Sequence, residues 1–173
     1  MVLSYKPLER ESLHLRVFAD ASFHSNDEMS SQLGYIVILC DAADKCHVLT
    51  YSSKKARRIV RSIMAGEVYA FADAFDAEYI HKHDLERIYN QPLPLVMLTD
   101  SKQTFDVITR ATHTTDKRLM IDVAAAREAY NRQEISNVGL VQSEHNTADG
   151  LTKPGLCPAL HAMVRRGADA SPV

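Results

Sequence analysis

At 173 residues, with 46% apolar and 24% charged side chains, the chain has the makeup of one soluble globular domain, large enough to bury roughly 70% of its unfolded surface. A net charge of −2 excludes a global basic field, so any nucleic-acid footprint has to be local. No signal-peptide pattern opens the chain, and the longest apolar run, Tyr35 to Cys40, is too short to span a bilayer.

Residues 1–12 read as an irregular lead-in. Leu13-His-Leu-Arg-Val-Phe-Ala alternates with period two, which predicts a strand with Leu13, Leu15, Val17 and Ala19 on one face. A polar connection over 22–32 leads to Leu33–Cys40, apolar and β-branched enough for a buried strand. A short turn, Asp41-Ala-Ala-Asp-Lys, then precedes a third strand over Cys46–Tyr51, giving an antiparallel meander. Three cysteines (Cys40, Cys46, Cys157) without Cys-x-x-Cys spacing predict reduced, buried thiols in an intracellular setting, although Cys40 and Cys46 are placed to face each other across that hairpin. The eight histidines show no zinc-ligand spacing with them.

A basic run follows: Lys54, Lys55, Arg57, Arg58 and Arg61. Ser62 is an N-cap candidate, and Met64, Val68, Phe71, Phe75 and Tyr79 recur at helical spacing until Pro92 and Pro94. Leu95-Val-Met-Leu-Thr is the continuous apolar run of a doubly covered parallel strand. A short helix is predicted over Lys102–Thr109 and a longer one over about Asp116 to Asn131, with Leu119, Met120, Val123 and Tyr130 inward. A last strand spans Ile135–Val141. Asn146 or Thr147 caps a short helix through Leu151, and the tail after Pro154 adds a small helix before fraying. The order βββαβααβα predicts an α/β domain with a mixed sheet.

Four acids stand where these elements meet. Asp20 and Asp100 close strands 1 and 4, Glu67 lies in the first turns of the long helix, and Asp149 starts a short one. The helical crossover allows strands 1 and 4 to lie parallel and adjacent, about 4.8 Å apart, at the carboxyl edge where open α/β sheets bind ligands. Carboxylates that close repel and raise one another's pKa, a conflict that a hard cation resolves. All-oxygen ligation favours Mg²⁺ or Mn²⁺, and four carboxylates suffice for a two-ion site of the kind that cleaves phosphodiesters. Read singly, Asp20 and Asp100 are also consistent with solvated strand ends or helix caps, and Glu67 with a solvated helix face.

Phe18-Ala-Asp-Ala-Ser22, Ser52-Ser-Lys-Lys55, Ala65-Gly-Glu67, Leu98-Thr-Asp-Ser101, Ile121-Asp-Val with Arg127-Glu128, and Asn146-Thr-Ala-Asp-Gly-Leu-Thr-Lys153 occur in this order. With them the chain resembles the ribonuclease H domain of a copia-type (pseudovirus) retrotransposon polyprotein over residues 13–155, leaving 156–173 as a C-terminal tail. The acid spacings of 47, 33 and 49 residues (67−20, 100−67, 149−100) fit that family's Asp–Glu–Asp–Asp set.

The resemblance implies a ribonuclease H-like α/β fold, a five-stranded mixed sheet with helices on both faces. It implies metal-dependent cleavage of the RNA strand of an RNA–DNA hybrid, with Asp20, Glu67, Asp100 and Asp149 holding two Mg²⁺ ions (Mn²⁺ substituting) and Asp20 bridging them. The implied partners are the hybrid and the reverse transcriptase domain of the same polyprotein, with no membrane. The implied location is the cytoplasmic retroelement particle, with the nucleus as the alternative.

Two departures from the family stand out. Its mobile-loop histidine has only His145 as a counterpart, four residues before Asp149, which makes His145 the auxiliary candidate and a helix-cap neighbour its plainer reading. The basic helix that grips substrate in some members has no room between 110 and 117. Substrate contacts then fall to Lys54, Lys55, Arg57 and Arg58 on phosphates, and to Ser22 and Ser101 on 2′-hydroxyls; helix or turn capping is the plainer role for the two serines. Other functions compatible with the sequence are a catalytically silent ribonuclease H-like tethering domain of a reverse transcriptase, and a DNA-directed nuclease of the same superfamily.

Overall fold

The period-two alternation of the first strand separates two layers of core. The computed structural model describes residues 5–23, 30–57, 59–110 and 116–166, with side chains as far as 164 in the last segment. Leu13, Leu15, Val17 and Ala19 pack into one hydrophobic cluster, and Phe18 faces the other. The strands are β1 (His14–Ser22), β2 (Gln32–Cys40), β3 (Cys46–Lys55), β4 (Leu95–Thr99) and β5 (Asn137–Leu140). They form one mixed sheet in the order β3-β2-β1-β4-β5. β1 pairs antiparallel with β2 and parallel with β4, so the strand that carries Asp20 and the strand that leads into Asp100 are neighbours, as the crossover argument expects, although β1 runs on past Asp20 to Ser22 because Ala21 and Ser22 still pair with β2.

Helices α1 (Ile63–Tyr89), α2 (Lys102–Thr109) and α3 (Met120–Asn131) supply the larger cluster through Val68, Phe71, Ala74, Val107, Ile108, Val123, Ala126 and Ala129. The short α4 (Asp149–Thr152) and α5 (Pro158–Arg166) cover the opposite face. There Met163 and Ala148 join Phe18, Ile36, Ile38 and Leu98. This is an α/β fold with helices on both faces of a five-stranded mixed sheet. Among the described residues, no helix is long and apolar enough to cross a membrane.

Ser62 caps α1 through a hydrogen bond from the Ala65 N–H (3.1 Å), and Asn90 ends it in the left-handed conformation, before the prolines are reached. The helix has 27 residues, and a straight stripe drifts over that length. Tyr79 has therefore left the core, while Ala70, Ala74 and Glu78 occupy the buried line. Met120, expected inward, is 52% exposed, because α3 begins there rather than at 116 and turns Val123, Ala126 and Ala129 to the core. β3 runs on to Lys55, four residues past the expected end, since each added residue still pairs with β2. Cys40 and Cys46 face each other in the β2–β3 register, buried and not disulfide-bonded, and Cys157 is likewise buried and outside any disulfide.

Candidate metal centre

Asp20 belongs to the even-numbered face of β1, the side covered by α4, and is 1% exposed. Glu67 comes from α1 on the other side of the sheet and is 7% exposed. They can meet because both lie at the rim where the strands end. Gly66 makes the approach possible: a Cβ there would stand 3.1 Å from the Cβ of Ala21 and 3.4 Å from Val60. The Ala21 N–H donates to the Glu67 carboxylate. Asp100, one residue beyond β4, completes the group. One ligand oxygen from each of Asp20, Glu67 and Asp100 lies within 4.8 Å of the others.

Asp149 is held differently. It opens α4, and its Oδ1 accepts a hydrogen bond from the Lys153 ammonium one turn later. The same ammonium lies 3.9 Å from Asp20 Oδ1. Asp149 is close enough to push the Asp20 pKa upward, but its oxygens are not among those of the three-acid group.

Three residues that the sequence did not connect to the acids fix this geometry, among them Asn146, which does not cap α4 as expected because Ala148 stands at the cap position. Thr152 donates its hydroxyl to Asp20 Oδ2 and is itself buried. Asn146, fully buried, donates to the Ala19 carbonyl (3.0 Å) and to Asp100 Oδ1 (3.3 Å), tying the two strand ends together. Gly34 sits opposite Asp20 in the β1–β2 register. A Cβ on Gly34 would come within 2.7 Å of Thr152 Cγ2 and 3.0 Å of Leu151 Cβ, so only glycine lets α4 lie flat on β2. The signals were present in the sequence. Asn146 and Thr152 belong to the most specific motif run, and a lone glycine within a strand marks a close approach of backbone.

The electrostatics are those of anions short of a cation. Burial pushes the Glu67 carboxyl up to about 8, with the charges of Asp20 and Asp100 adding to it; the Ala21 N–H and Lys153 oppose the rise. Burial also raises Asp20, against the Thr152 hydroxyl and Lys153, with Asp100 and Asp149 pushing further up. Lys153 loses some of its charge preference to burial, but its bond to Asp149 and the fields of Asp20, Asp149 and Asp100 leave its pKa raised. Glu67 Oε2 is buried without a hydrogen-bond partner among the described residues. A convergent set of carboxylates, one of which carries an orphaned oxygen, suits a hard divalent cation.

The remaining sequence-derived candidates lie apart from this group or make other contacts. Ser101 caps α2, accepting from the Thr104 N–H (3.3 Å) and the Thr104 hydroxyl (3.0 Å). Ser22 is buried at the end of β1. Lys54 pairs with Asp73 on α1 at 3.0 Å, and Arg57 lines a cavity of about 280 Å³ with Asp73, Asp76 and Asp122. Lys55 is exposed, and Arg58 lies outside the described residues. His145 ends a 3-10 turn (Ser143–His145), its Nδ1 buried and without a partner among the described residues.

No protein-family model matches the chain. Among solved structures, RNase H1 from the halophilic archaeon Halobacterium salinarum superposes with a TM-score of 0.60 over 86% of this chain and 98% of that one, at 18% identity. The chain has the ribonuclease H fold. LC11-RNase H1 in complex with an RNA/DNA hybrid shares it, with a TM-score of 0.58 and 15% identity over 80% of this chain and 93% of that one. In sequence, the chain is 26% identical over 153 residues to the Transposon Ty1-DR5 Gag-Pol polyprotein of Saccharomyces cerevisiae. That match covers 86% of this chain and 8% of the relative, so the chain spans a small fraction of the polyproteins it matches. The resemblance to a copia-type polyprotein's ribonuclease H domain is thus borne out.

Proposed function

We propose that this domain is an endonuclease that hydrolyses the RNA strand of RNA–DNA hybrids during reverse transcription, with Asp20, Glu67, Asp100 and Asp149 as the ligands of two Mg²⁺ ions, for which Mn²⁺ substitutes. The observation that carries the reading is the convergence of three carboxylates from β1, α1 and the end of β4 within 4.8 Å. Similarity to Ty1 polyproteins over most of the chain, and a fold shared with a ribonuclease H in complex with a hybrid, support the substrate.

When bound, a pair of divalent ions activates a water and stabilises the leaving oxygen of a phosphodiester. The protein's part is to hold the acids. Asp20 would hold metal with Glu67 and Asp100, and it also faces Lys153 together with Asp149. Thr152 and the Ala21 N–H orient Asp20 and Glu67, and Asn146 keeps Asp100 beside β1. Glu67 must lose its proton to serve, which ties metal affinity to pH. The catalytic unit is residues 13–155. Of the tail that follows, Cys157 and Leu160 brace it, pressed against Gly150 of α4.

Lys54, Lys55, Arg57 and Arg58 would supply local positive charge for phosphates, Ser22 and Ser101 would contact 2′-hydroxyls, and His145, four residues before Asp149, is the auxiliary candidate. A footprint this small implies that the reverse transcriptase domain of the same polyprotein helps to hold the hybrid, inside a cytoplasmic retroelement particle. A labelled RNA–DNA hybrid with Mg²⁺ or EDTA, against wild type and Asp149→Asn, tests the reading. Metal-dependent RNA cleavage lost in the variant is expected. Hybrid binding without turnover, or cutting of duplex DNA instead, would overturn it.

A further inference from the structure

The cluster is asymmetric in a way that the four-acid reading does not explain. Asp20, Glu67 and Asp100 converge, while Asp149 is turned to Lys153. The Lys153 ammonium touches Asp149 Oδ1 and stands 3.9 Å from Asp20 Oδ1, between the two carboxylates that would share an ion. An ammonium has three donors and one positive charge, and there it does for these acids part of what a cation does. The placement is built in. Lys153 follows Asp149 by four residues on a single turn whose position over β2 is set by Gly34, so its stem leaves α4 beside the acid it pairs with.

We propose that Lys153 is an internal counter-ion that holds the Asp20–Asp149 position in the metal-free protein, and that a divalent ion binds there by displacing it. Lys153 is then a positioning residue that lowers metal affinity and keeps Asp149 in place until metal arrives. This rests on the metal-binding reading above, but not on the identity of the substrate.

Removing a positive charge at this distance from two ligands strengthens binding of a divalent cation. Mn²⁺ binding to the intact chain, measured by isothermal titration calorimetry at pH 7 and low salt, is expected to be about tenfold tighter for Lys153→Met than for wild type. Lys153→Arg, which keeps the charge, should stay within about threefold of wild type. Metal-free Lys153→Met should melt lower than metal-free wild type and regain the difference in Mn²⁺, a signature that a purely structural lysine would not give.

Equal or weaker Mn²⁺ binding by Lys153→Met overturns the proposal while leaving the metal-site reading intact. Absence of Mn²⁺ binding by both proteins overturns both. A second measurement needs no variant: in wild type, saturating Mg²⁺ should move the Lys153 side-chain Nζ resonance to its solvent-exposed position, and a resonance that stays unmoved at saturation contradicts displacement.

Discussion

Helix α1 carries two buried carboxylates, Glu67 and Glu78, about three turns apart, and burial pushes each up to about 8. Their surroundings differ. Glu67 faces Asp20 and Asp100 across the sheet rim, receives the Ala21 N–H, and has Lys153 within electrostatic reach. Glu78 is fully buried, and neither of its oxygens has a hydrogen-bond partner among the described residues; His81 Nδ1 stands 3.7 Å away, and Lys82 is the cation that lowers its pKa. A raised carboxyl pKa therefore does not by itself mark a site. What separates the two is convergence. Glu67 belongs to a set of anions that one cation would satisfy together, whereas Glu78 is a solitary cost to the core.

The largest test of this contrast is catalytic. Glu67→Gln and Asp100→Asn should each slow Mg²⁺-dependent hybrid cleavage by at least about a thousandfold, on the order of 4 kcal/mol of transition-state stabilisation. Glu78→Gln should stay within about threefold of wild type. Single-turnover rates on a labelled hybrid decide it, and a comparable loss in Glu78→Gln would erase the distinction.

The pH dependence of stability sharpens it. In both acids the folded-state pKa lies above the ordinary value of 4.5, so the folded state binds the proton more tightly than the unfolded state does. The contribution of these two groups is then fullest below about pH 4.5 and is lost as pH rises to about 8, by at most about 5 kcal/mol for each. Denaturant titrations of the metal-free protein should show this slope flattened in Glu78→Gln and in Glu67→Gln alike. Saturating Mn²⁺ should remove the Glu67 share, because the ion favours the ionised carboxylate, and leave the Glu78 share in place. A Glu67 slope that persists in Mn²⁺ would place the ion elsewhere.

The support beneath the site gives smaller effects. Gly34→Ala should cost about 1–3 kcal/mol and weaken Mn²⁺ binding, since its Cβ would collide with Thr152. Thr152→Val should cost about 1 kcal/mol by removing the hydroxyl that Asp20 accepts. Thermal melts with and without Mn²⁺ separate these effects from general damage. The smallest change is expected for Lys54→Ala. Its pair with Asp73 is half exposed and worth under about 1 kcal/mol. If Lys54 contacts a phosphate in the complex, its removal should also reduce the salt slope of hybrid binding by about one.

Much of this was legible in the sequence, for identifiable reasons. The strand that delivers Asp20 shows period two, the β4 run is uniformly apolar, and Ser62 and Lys102–Thr109 carry plain cap and helix signals, so the adjacency of β1 and β4 and three of the acids could be placed; the position of β5 came only with the fold. The less legible parts depend on contacts between distant segments. Nothing local says that Tyr79 leaves the core while Glu78 enters it, because both readings fit a 27-residue helix whose stripe drifts. Nor does any local pattern show that Asn146 reaches back 127 residues to the Ala19 carbonyl. The partnership of Lys153 with Asp149 follows from their four-residue spacing on a helix, but its approach to Asp20 requires the fold.

Asp20, Glu67 and Asp100 converge as a single cation site would require. Anomalous diffraction from crystals soaked in Mn²⁺ tests for that site most directly. A peak bounded by those three carboxylates is expected, absent in Glu67→Gln and retained in Glu78→Gln. Saturating Mn²⁺ that leaves no peak there, or a peak that survives Glu67→Gln unchanged, would contradict the account.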